Sequence, residues 1–224
     1  IQGQLRDWQI DVPASEAHQL ALERVAALPK RRPRHVITSI GRLVEQKATL
    51  LLLGDDTHNS AIERIANRYG RDAAIIILGS GDAAFEHRML EVAHRLPNLV
   101  FLRGYSEVLA DPLYHAGDLF LMPSSFEPCG ISQMLAMRRG QPVVAHRVGG
   151  LGDTIDDNET GFLFDGATPD EQADAFVETT LRALDMRAND PLRWQDLQKA
   201  AAEKRFDWAS AARETINRLY TSYA

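Results

Sequence analysis

The chain contains one cysteine, Cys129, among 224 residues, which excludes an internal disulfide framework and a cysteine-based zinc cluster. It also lacks any apolar run approaching the roughly 18 to 20 residues that a membrane-spanning helix needs. No basic-then-apolar signal segment opens the sequence. These absences predict a protein without membrane association, and a reducing cytoplasm is the location that fits them best.

Excess positive charge is absent too. The formal net charge is −6, and the basic side chains alternate with acidic ones along nearly the whole sequence. The one basic cluster, Lys30, Arg31, Arg32 and Arg34, has no interleaved aromatic residues for stacking on bases. We therefore expect no nucleic-acid partner and interpret the cluster as a solvated linker.

Apolar, β-branched runs flanked by turn residues predict five buried parallel strands, with helical periodicity between them. The predicted strands are 34–40, 73–78, 99–102, 119–122 and 142–145. Beyond Gly161 to Phe164 the pattern is purely helical, with helices predicted at 169–185, 192–204 and 208–220. The leucine-rich stretch 48–54 is ambiguous between strand and helix, and we favour helix.

This alternation predicts an α/β fold, a Rossmann-like parallel sheet with helices on both faces and a helical C-terminal tail. We expect one domain over residues 1–224. Residues 1–33 form an N-terminal lead-in helix or linker, 34–165 the α/β core and 166–224 the tail. In such sheets ligands bind outside the carboxyl ends of the strands, so the loops there are the candidate sites.

The loop after the first predicted strand carries Arg42 and Lys47, whose charges suit a diphosphate if they converge. The loop after the second, 79–84, matches the G-x-G-x-x-A dinucleotide fingerprint. A dinucleotide site wants an acidic residue about 20 positions on, where this sequence has Arg103 and Gly104. We therefore interpret 79–84 as a structural strand-to-helix turn.

The next loops offer an aromatic residue, a helix start and a glycine run. Tyr105 could stack on a nucleobase or pack beneath its loop. Segment 123–132 leads into a helix predicted over 131–139, whose first N–H groups, with the Ser132 hydroxyl, could hold a phosphate. Glu127 lies just outside that anion site, and it either faces a sugar or is a helix-capping or solvated carboxylate. The loop at 146–153 has three glycines, which let the backbone pass close to a ligand, although ordinary loop chemistry explains them equally well.

Together these segments resemble the second domain of the glycogen and starch synthases. The family's S-R-L-x-x-Q-K-G loop is matched by 41–48, its L-G-x-G-D element by 78–82 and its G-Y element by 104–105. Its P-S-R-F-E-P-C-G-L-T-Q-L element is matched within 123–135, R-x-G-G-L-x-D-T-V by 147–155 and F-x-W by 206–208. The chain departs from the pattern at Ala48, Ser125 and Leu135.

The resemblance implies the second half of a GT-B fold and a retaining transfer of glucose from ADP-glucose to the non-reducing end of an α-1,4-glucan. It implies catalytic roles for Arg42 and Lys47 on the diphosphate and for Glu127 on the glucose. The implied substrate-binding residues are Gln46, Tyr105, Cys129, Gly130, Ile131, Ser132, Gly149 and Gly150. The family needs no metal ion and no other cofactor.

The family's active site lies between two domains, and the resemblance covers only the second. It implies that the α-glucan acceptor binds through the N-terminal domain and that this chain is inactive without it. It also implies that the helix at 208–220 packs on that domain. Two alternatives remain open: a UDP-glucose-dependent retaining glycosyltransferase with a small acceptor, and a non-catalytic nucleotide-sugar-binding module.

Overall fold

A computed structural model describes residues 15–28, 32–48, 52–54 and 60–220. In these ranges six parallel strands form one sheet with the order β3-β2-β1-β4-β5-β6. The strands are β1 (His35–Ile40), β2 (Ala73–Gly79), β3 (Leu99–Arg103), β4 (Leu119–Met122), β5 (Val143–His146) and β6 (Gly161–Phe164). The chain builds outward from β1 to β3 and then returns to the other side of β1. A crevice therefore opens between the carboxyl ends of β1 and β4.

Nine helices accompany the sheet in the part of the chain that the structure describes. They are α1 (Glu16–Ala27), α2 (Ala61–Tyr69), α3 (Ala83–Arg95), α4 (Glu107–Ala116), α5 (Ser132–Arg138), α6 (Gly149–Thr154), α7 (Pro169–Asn189), α8 (Pro191–Glu203) and α9 (Trp208–Leu219). Short 3-10 turns occur at Glu45–Lys47 and Gly70–Asp72. No helix in the described ranges is long and apolar enough to span a bilayer.

Helices cover both faces of the sheet, as predicted. Alternate strand residues such as Ile37 and Ile75 point to a core that includes Met89 of α3 and Phe176 of α7. On the opposite face, strand residues pack against α1 and α4 at one side and against α5 and α6 at the other. The whole segment α1 to α8 therefore shares one sheet and its two buried layers.

All five predicted strands are present, with ends within one residue of the prediction. A sixth strand, β6, is not among the predicted strands. It pairs in parallel with β5 through residues Gly161–Phe164. At the tail, α7 runs to Asn189, four residues beyond its predicted end. The sharp break between α7 and α8 falls at Asp190, whose carboxylate accepts from the Arg193 N–H at 3.1 Å, followed by Pro191 at the first helical position.

Two interpretations concern residues that are only partly described. Of the stretch 48–54, residues 49–51 lie outside the described ranges, and Leu52 and Leu53 are helical and buried. Lys30 and Arg31 likewise lie outside. Arg32 and Arg34 lie in exposed coil between α1 and β1, in agreement with the linker interpretation, and the Arg32 guanidinium binds the Asp118 carboxylate at 2.9 Å.

The last helix, α9, has no buried side chain. Trp208 is 91% exposed, and Ile216 and Leu219 are also exposed at helical spacing. This apolar stripe agrees with the predicted packing of the tail on another domain, which stays a prediction.

A buried polar network holds α7 against the start of the sheet, opposite the crevice. Asp118 accepts from the Val36 N–H at 2.7 Å and from the Arg187 guanidinium at 2.8 Å. His35, 1% exposed, lies beside Arg187 and packs on the Tyr69 ring at 4.9 Å between centroids. Burial, with Arg187 and Arg34 close by, lowers the pKa of His35 to about 4.

This pKa makes the fold acid-sensitive. Below about pH 6.5 the unfolded chain protonates His35 while the folded chain does not, so the free energy of unfolding decreases as the pH falls towards about 4. We expect His35 to account for a loss on the order of 2 kcal/mol over that window. Urea unfolding of wild type and His35→Gln at about pH 7 and about pH 4.5 measures it. In His35→Gln the free energy of unfolding should decrease less between these two pH values than in wild type. His87→Gln, at an exposed site, should show the same decrease as wild type. Equal pH dependence in wild type and His35→Gln would show the assignment to be wrong.

Candidate active site

The crevice at the carboxyl edge of the sheet contains a cavity of about 730 Å³. Its walls include Arg42 after β1, Ser80 after β2 and Tyr105 after β3. A second cavity of about 230 Å³ adjoins it on the β4 side and contains Lys47 and Ser124. Arg42 and Ser132 line both cavities. The structure thus brings together predicted site residues from the loops after β1 and β3 and from the start of α5.

The loop after β1 is held against the loop after β2 by backbone contacts. The Gly41 N–H donates to the Leu78 carbonyl at 3.1 Å, and the Leu43 N–H donates to that of Ser80 at 2.9 Å. A Cβ at Gly79 would lie 2.2 Å from the Gly41 carbonyl oxygen, and one at Gly81 would lie 2.2 Å from that of Leu43. Both glycines of the dinucleotide-like motif are therefore required by packing.

The start of α3, where a dinucleotide would place its phosphates, holds a carboxylate of the chain itself. Glu86 accepts from the Gly81 N–H at 2.9 Å through one oxygen and pairs with Arg103 at 2.7 Å through the other. A bound phosphate would compete with this ion pair for the same N–H group. This arrangement agrees with the interpretation of 79–84 as a structural turn.

The pair Lys47 and Glu127 forms the polar centre of the site. The Lys47 ammonium and one oxygen of the Glu127 carboxylate form an ion pair, and the Ser124 hydroxyl donates to the same oxygen at 3.3 Å. The Glu127 side chain is only 10% exposed and that of Lys47 22%. An ionised carboxylate at this depth needs such partners, so Glu127 is fixed in place and its solvated interpretation is wrong.

Gln46 joins the loops after β1 and β4. Its side-chain amide donates to the Phe126 carbonyl at 3.0 Å, and its own carbonyl accepts from the Ser125 N–H at 3.0 Å and the Ser125 hydroxyl at 3.1 Å. These bonds set the distance between the segments that carry Lys47 and Glu127. Gln46 is thus positioned at the site, and Ser125, which departs from the arginine of the family pattern, bridges the two loops.

Arg42 differs from Lys47 in having no counter-ion. It is exposed, and it forms no hydrogen bond or ion pair with any residue that the structure describes. An arginine on a cavity wall without a protein partner keeps all five guanidinium donors available for an anion. Arg42 is therefore the free cation at the junction of the two cavities.

Tyr105 presents its ring to the larger cavity. The side chain is 75% exposed, and its hydroxyl donates to Glu107 at 3.2 Å. The Glu107 carboxylate raises the pKa of Tyr105, so the phenol stays protonated and the contact persists. With the hydroxyl engaged at one end, the ring face is open for stacking. The alternative that Tyr105 packs beneath its loop is wrong.

Gly149 and Gly150 lie against the backbone of the Glu127 loop. A Cβ at Gly149 would lie 2.3 Å from the Glu127 carbonyl oxygen, and one at Gly150 would lie 2.1 Å from that of Cys129. The Gly150 N–H also donates to the Glu127 carbonyl at 2.9 Å. Of the two interpretations open from the sequence, a close ligand or ordinary loop packing, the contacts at Gly149 and Gly150 agree with a close approach of two loops.

Gln133 is a buried residue that the sequence analysis does not identify. Its amide nitrogen donates to the carbonyls of Cys129 at 3.0 Å and Gly130 at 3.1 Å and to the Thr154 hydroxyl at 3.2 Å. Gly130 adopts φ +71°, and a Cβ there would meet Gln133 Oε1 at 2.4 Å. The only signal in the sequence is an amide within an otherwise apolar stretch of helix.

The predicted helix after this turn is shorter than expected. It runs Ser132–Arg138 rather than 131–139, and Ile131 precedes it without a side-chain cap. The Ile131 side chain is 66% exposed and faces a different cavity, together with Phe206. Only main-chain groups of Gly130 and Ile131 are thus available for the phosphate contacts, which stay a prediction. Cys129 is exposed beside them.

No group of three or more His, Cys, Asp or Glu side chains suited to a metal ion occurs among the residues that the structure describes. The larger cavity also has Glu107, Asp111, Arg138 and Arg139 on its wall, where Arg139 pairs with Asp111 and Glu107 binds the Tyr105 hydroxyl. Arg42, Lys47 and Glu127 suit an anionic ligand with hydroxyl groups beside it.

A family model and individual relatives of known sequence assign the chain to the same family. Residues 34–184 match the family model described as glycosyl transferases group 1. A glycogen synthase of Streptococcus pneumoniae serotype 19F is 36% identical over 222 residues, which are 96% of this chain and 43% of that protein. The chain thus spans less than half the length of such relatives.

Solved structures agree with this result. The catalytic domain of starch synthase IV from Arabidopsis thaliana, bound to ADP and acarbose, has a TM-score of 0.71 and 29% identity over 92% of this chain and 41% of its own. Sucrose-phosphate synthase from Thermosynechococcus elongatus, at 22% identity, has a TM-score of 0.63 over 99% of this chain and 56% of its own, and shows the fold alone.

The contact at Gly150 gives a stability prediction. Because an added Cβ would overlap the Cys129 carbonyl, Gly150→Ala should lower the free energy of unfolding by about 1 to 3 kcal/mol in urea. Gly152→Ala, in the same helix, is the matched control, since its Cβ would lie 3.7 Å from Arg147 Cγ. There alanine should be neutral or stabilising by up to about 1 kcal/mol. Similar losses in both variants would contradict the packing role of Gly150.

Proposed function

The chain belongs to the group 1 glycosyl transferases, and from this premise we propose that it is the donor-binding domain of a retaining hexosyltransferase of the glycogen and starch synthase type. The proposed reaction moves glucose from ADP-glucose to the non-reducing end of an α-1,4-glucan. The bond between the anomeric carbon and the diphosphate oxygen breaks, and ADP leaves with the electron pair. The acceptor hydroxyl oxygen forms the new bond to the anomeric carbon, and its proton passes to the departing ADP.

The observation that carries this proposal is the arrangement of Lys47, Glu127 and Arg42 beside Tyr105. A diphosphate placed at the junction of the two cavities would meet the free Arg42 guanidinium and the Lys47 ammonium. The negative charge that develops on the leaving diphosphate is stabilised by donors that are already in place. In this placement the adenine base of the donor extends from the junction towards Tyr105, and its glucose extends towards Glu127.

Glu127 has two functions in this proposal. Its carboxylate fixes the ammonium of Lys47, and its remaining acceptor capacity is available to hydroxyls of the transferred glucose. Carboxylates that bind sugar hydroxyls orient the ring relative to the scissile bond. Gln46 and Gln133 hold the loops on either side of Glu127.

We propose that the glucan acceptor binds to the whole enzyme and not to this chain alone. The relatives are more than twice as long as this chain. We expect an N-terminal domain to supply the acceptor contacts and the exposed stripe of α9 to pack against it. This chain alone would bind the donor without transferring its glucose.

Nucleotide titrations of the chain by calorimetry test the proposal. ADP should bind more tightly than UDP and NADPH. Lys47→Ala and Arg42→Gln should each weaken ADP binding by about tenfold or more, since each removes a charge-assisted contact worth about 1.5 to 3 kcal/mol. Arg71→Gln, at an exposed arginine in the 3-10 turn far from the crevice, serves as the control.

The outcomes separate the alternatives. Tightest binding of UDP would favour a UDP-glucose-dependent enzyme, and tightest binding of NADPH would overturn the proposal. Unchanged ADP affinity in both Lys47→Ala and Arg42→Gln would remove the diphosphate site. The melting temperature of each variant shows whether it is folded at the temperature of the titration.

Tyr105 gives an independent prediction for the base. Tyr105→Ala should weaken ADP binding by roughly tenfold, because stacking of a base on an aromatic ring contributes about 1 to 3 kcal/mol. Tyr105→Phe should retain wild-type affinity, since the hydroxyl contacts only Glu107 among the described residues. A loss of the same size in Tyr105→Phe would refute stacking as the mode of base binding.

A further inference from the structure

A separate cavity of about 600 Å³ lies between α5 and the segment that joins α8 to α9. It shares Leu135 and Arg138 with the donor cavity, and its other walls belong to neither of the two cavities described above. Its lining side chains are either apolar or charged: Ile131, Met134, Leu135, Ala202 and Phe206 in the first class, and Arg138, Lys204, Arg205 and Asp207 in the second.

The charged side chains leave two arginines without a carboxylate partner. Arg138 forms no hydrogen bond or ion pair in the part of the chain that the structure describes. Arg205 donates to the Ala202 carbonyl at 2.6 Å and the Lys204 carbonyl at 3.3 Å and has no acidic partner there. Both are exposed. A guanidinium that bonds only neutral carbonyls retains its full charge and most of its donors.

The acidic groups nearby are already engaged. Asp156 pairs with Lys204, and the Asp207 carboxylate accepts from the Ser210 N–H at 2.8 Å and the Ser210 hydroxyl at 3.0 Å, capping α9. Those hydrogen bonds lower the pKa of Asp207 and keep it ionised. The cavity lining thus has three cations and one carboxylate, Asp207, which forms no ion pair with Arg138 or Arg205. Its net positive charge favours an anion beside these two arginines.

The apolar side chains lie next to these cations and are open to solvent. Ile131 is 66% exposed, Leu135 43% and Phe206 40%. Covering such surface is favourable at about 25 cal/mol per Å². An anion alone would satisfy the arginines and leave these side chains in water, whereas an anion with a carbon ring would cover both.

We propose that this cavity binds an organic phosphate monoester, with the phosphate on Arg138 and Arg205 and its ring on Phe206 and Ile131. A phosphate dianion offers three acceptor oxygens and matches the paired donors of two guanidinium groups better than a monovalent carboxylate does. The site overlaps the donor cavity at Leu135 and Arg138 only, because Arg205 and Phe206 do not line the donor cavity.

Calorimetric titration of the whole chain with phenyl phosphate, inorganic phosphate, benzoate and phenol tests this. Phenyl phosphate should bind at least about fivefold more tightly than inorganic phosphate or benzoate, and phenol should not bind measurably. Arg205→Gln should weaken phenyl phosphate binding about tenfold. Phe206→Ala should reduce it to the level of inorganic phosphate. Arg71→Gln, at an arginine outside the cavity, should leave it unchanged.

The proposal is overturned if phenyl phosphate does not bind, or if Arg205→Gln and Arg71→Gln bind it equally well. If phenyl phosphate and inorganic phosphate bind equally tightly and Phe206→Ala changes neither affinity, the ring does not contribute and the proposal of an organic ligand is overturned. If benzoate binds as tightly as phenyl phosphate, the preference for phosphate is overturned. ADP affinity in Arg205→Gln should match wild type. The donor site and this site can therefore fail independently.

Discussion

The close approach of strand-end loops across the sheet is the constraint on which the rest of the site depends. The loop after β1 lies against Gly79 and Gly81 of the loop after β2, and it reaches the loop after β4 through Gln46. The loop after β4 in turn lies against Gly149 and Gly150 after β5. Each of the four glycine contacts is at a distance that a Cβ would not permit. The positions of the site's charges are therefore set by glycines that carry no chemistry of their own.

The sequence could predict the sheet because its strands are buried on both faces. Runs such as 73–78 are continuously apolar and rich in isoleucine, which is typical of a parallel strand buried between two helical layers. Strand β6 was harder to predict because it has four residues, begins with glycine and directly follows a turn. The length of α7 was underestimated because polar residues near its end also fit a loop. Helix ends of this kind are decided by caps such as Asp190.

The candidate site was predictable in its residue types and less so in its contacts. Arg42, Lys47, Tyr105 and Glu127 follow strands that end at one edge, so their proximity follows from topology. The pairing of Lys47 with Glu127 joins residues 80 positions apart, and no local pattern reports it. The roles of Gln133 and of Gly149 and Gly150 likewise depend on which loop is opposite. A glycine in a sequence indicates that another group comes close to the backbone there. It does not show whether that group is a ligand or another loop.

The two cations proposed to bind the donor diphosphate, Lys47 and Arg42, differ in whether a carboxylate holds them in place. This difference bears on the proposed mechanism. Lys47 is held by a carboxylate that is nearly buried, so it gives up little side-chain freedom when an anion arrives. Arg42 has no partner among the described residues, so its guanidinium loses more freedom on binding but breaks no ion pair. A diphosphate would thus be captured mainly by Arg42 and oriented mainly by Lys47. Since Glu127 offsets part of the Lys47 charge before the bond breaks, the attraction of Lys47 for the ground state is moderated. It increases as negative charge accumulates on the leaving group, which is the condition under which binding energy accelerates a reaction.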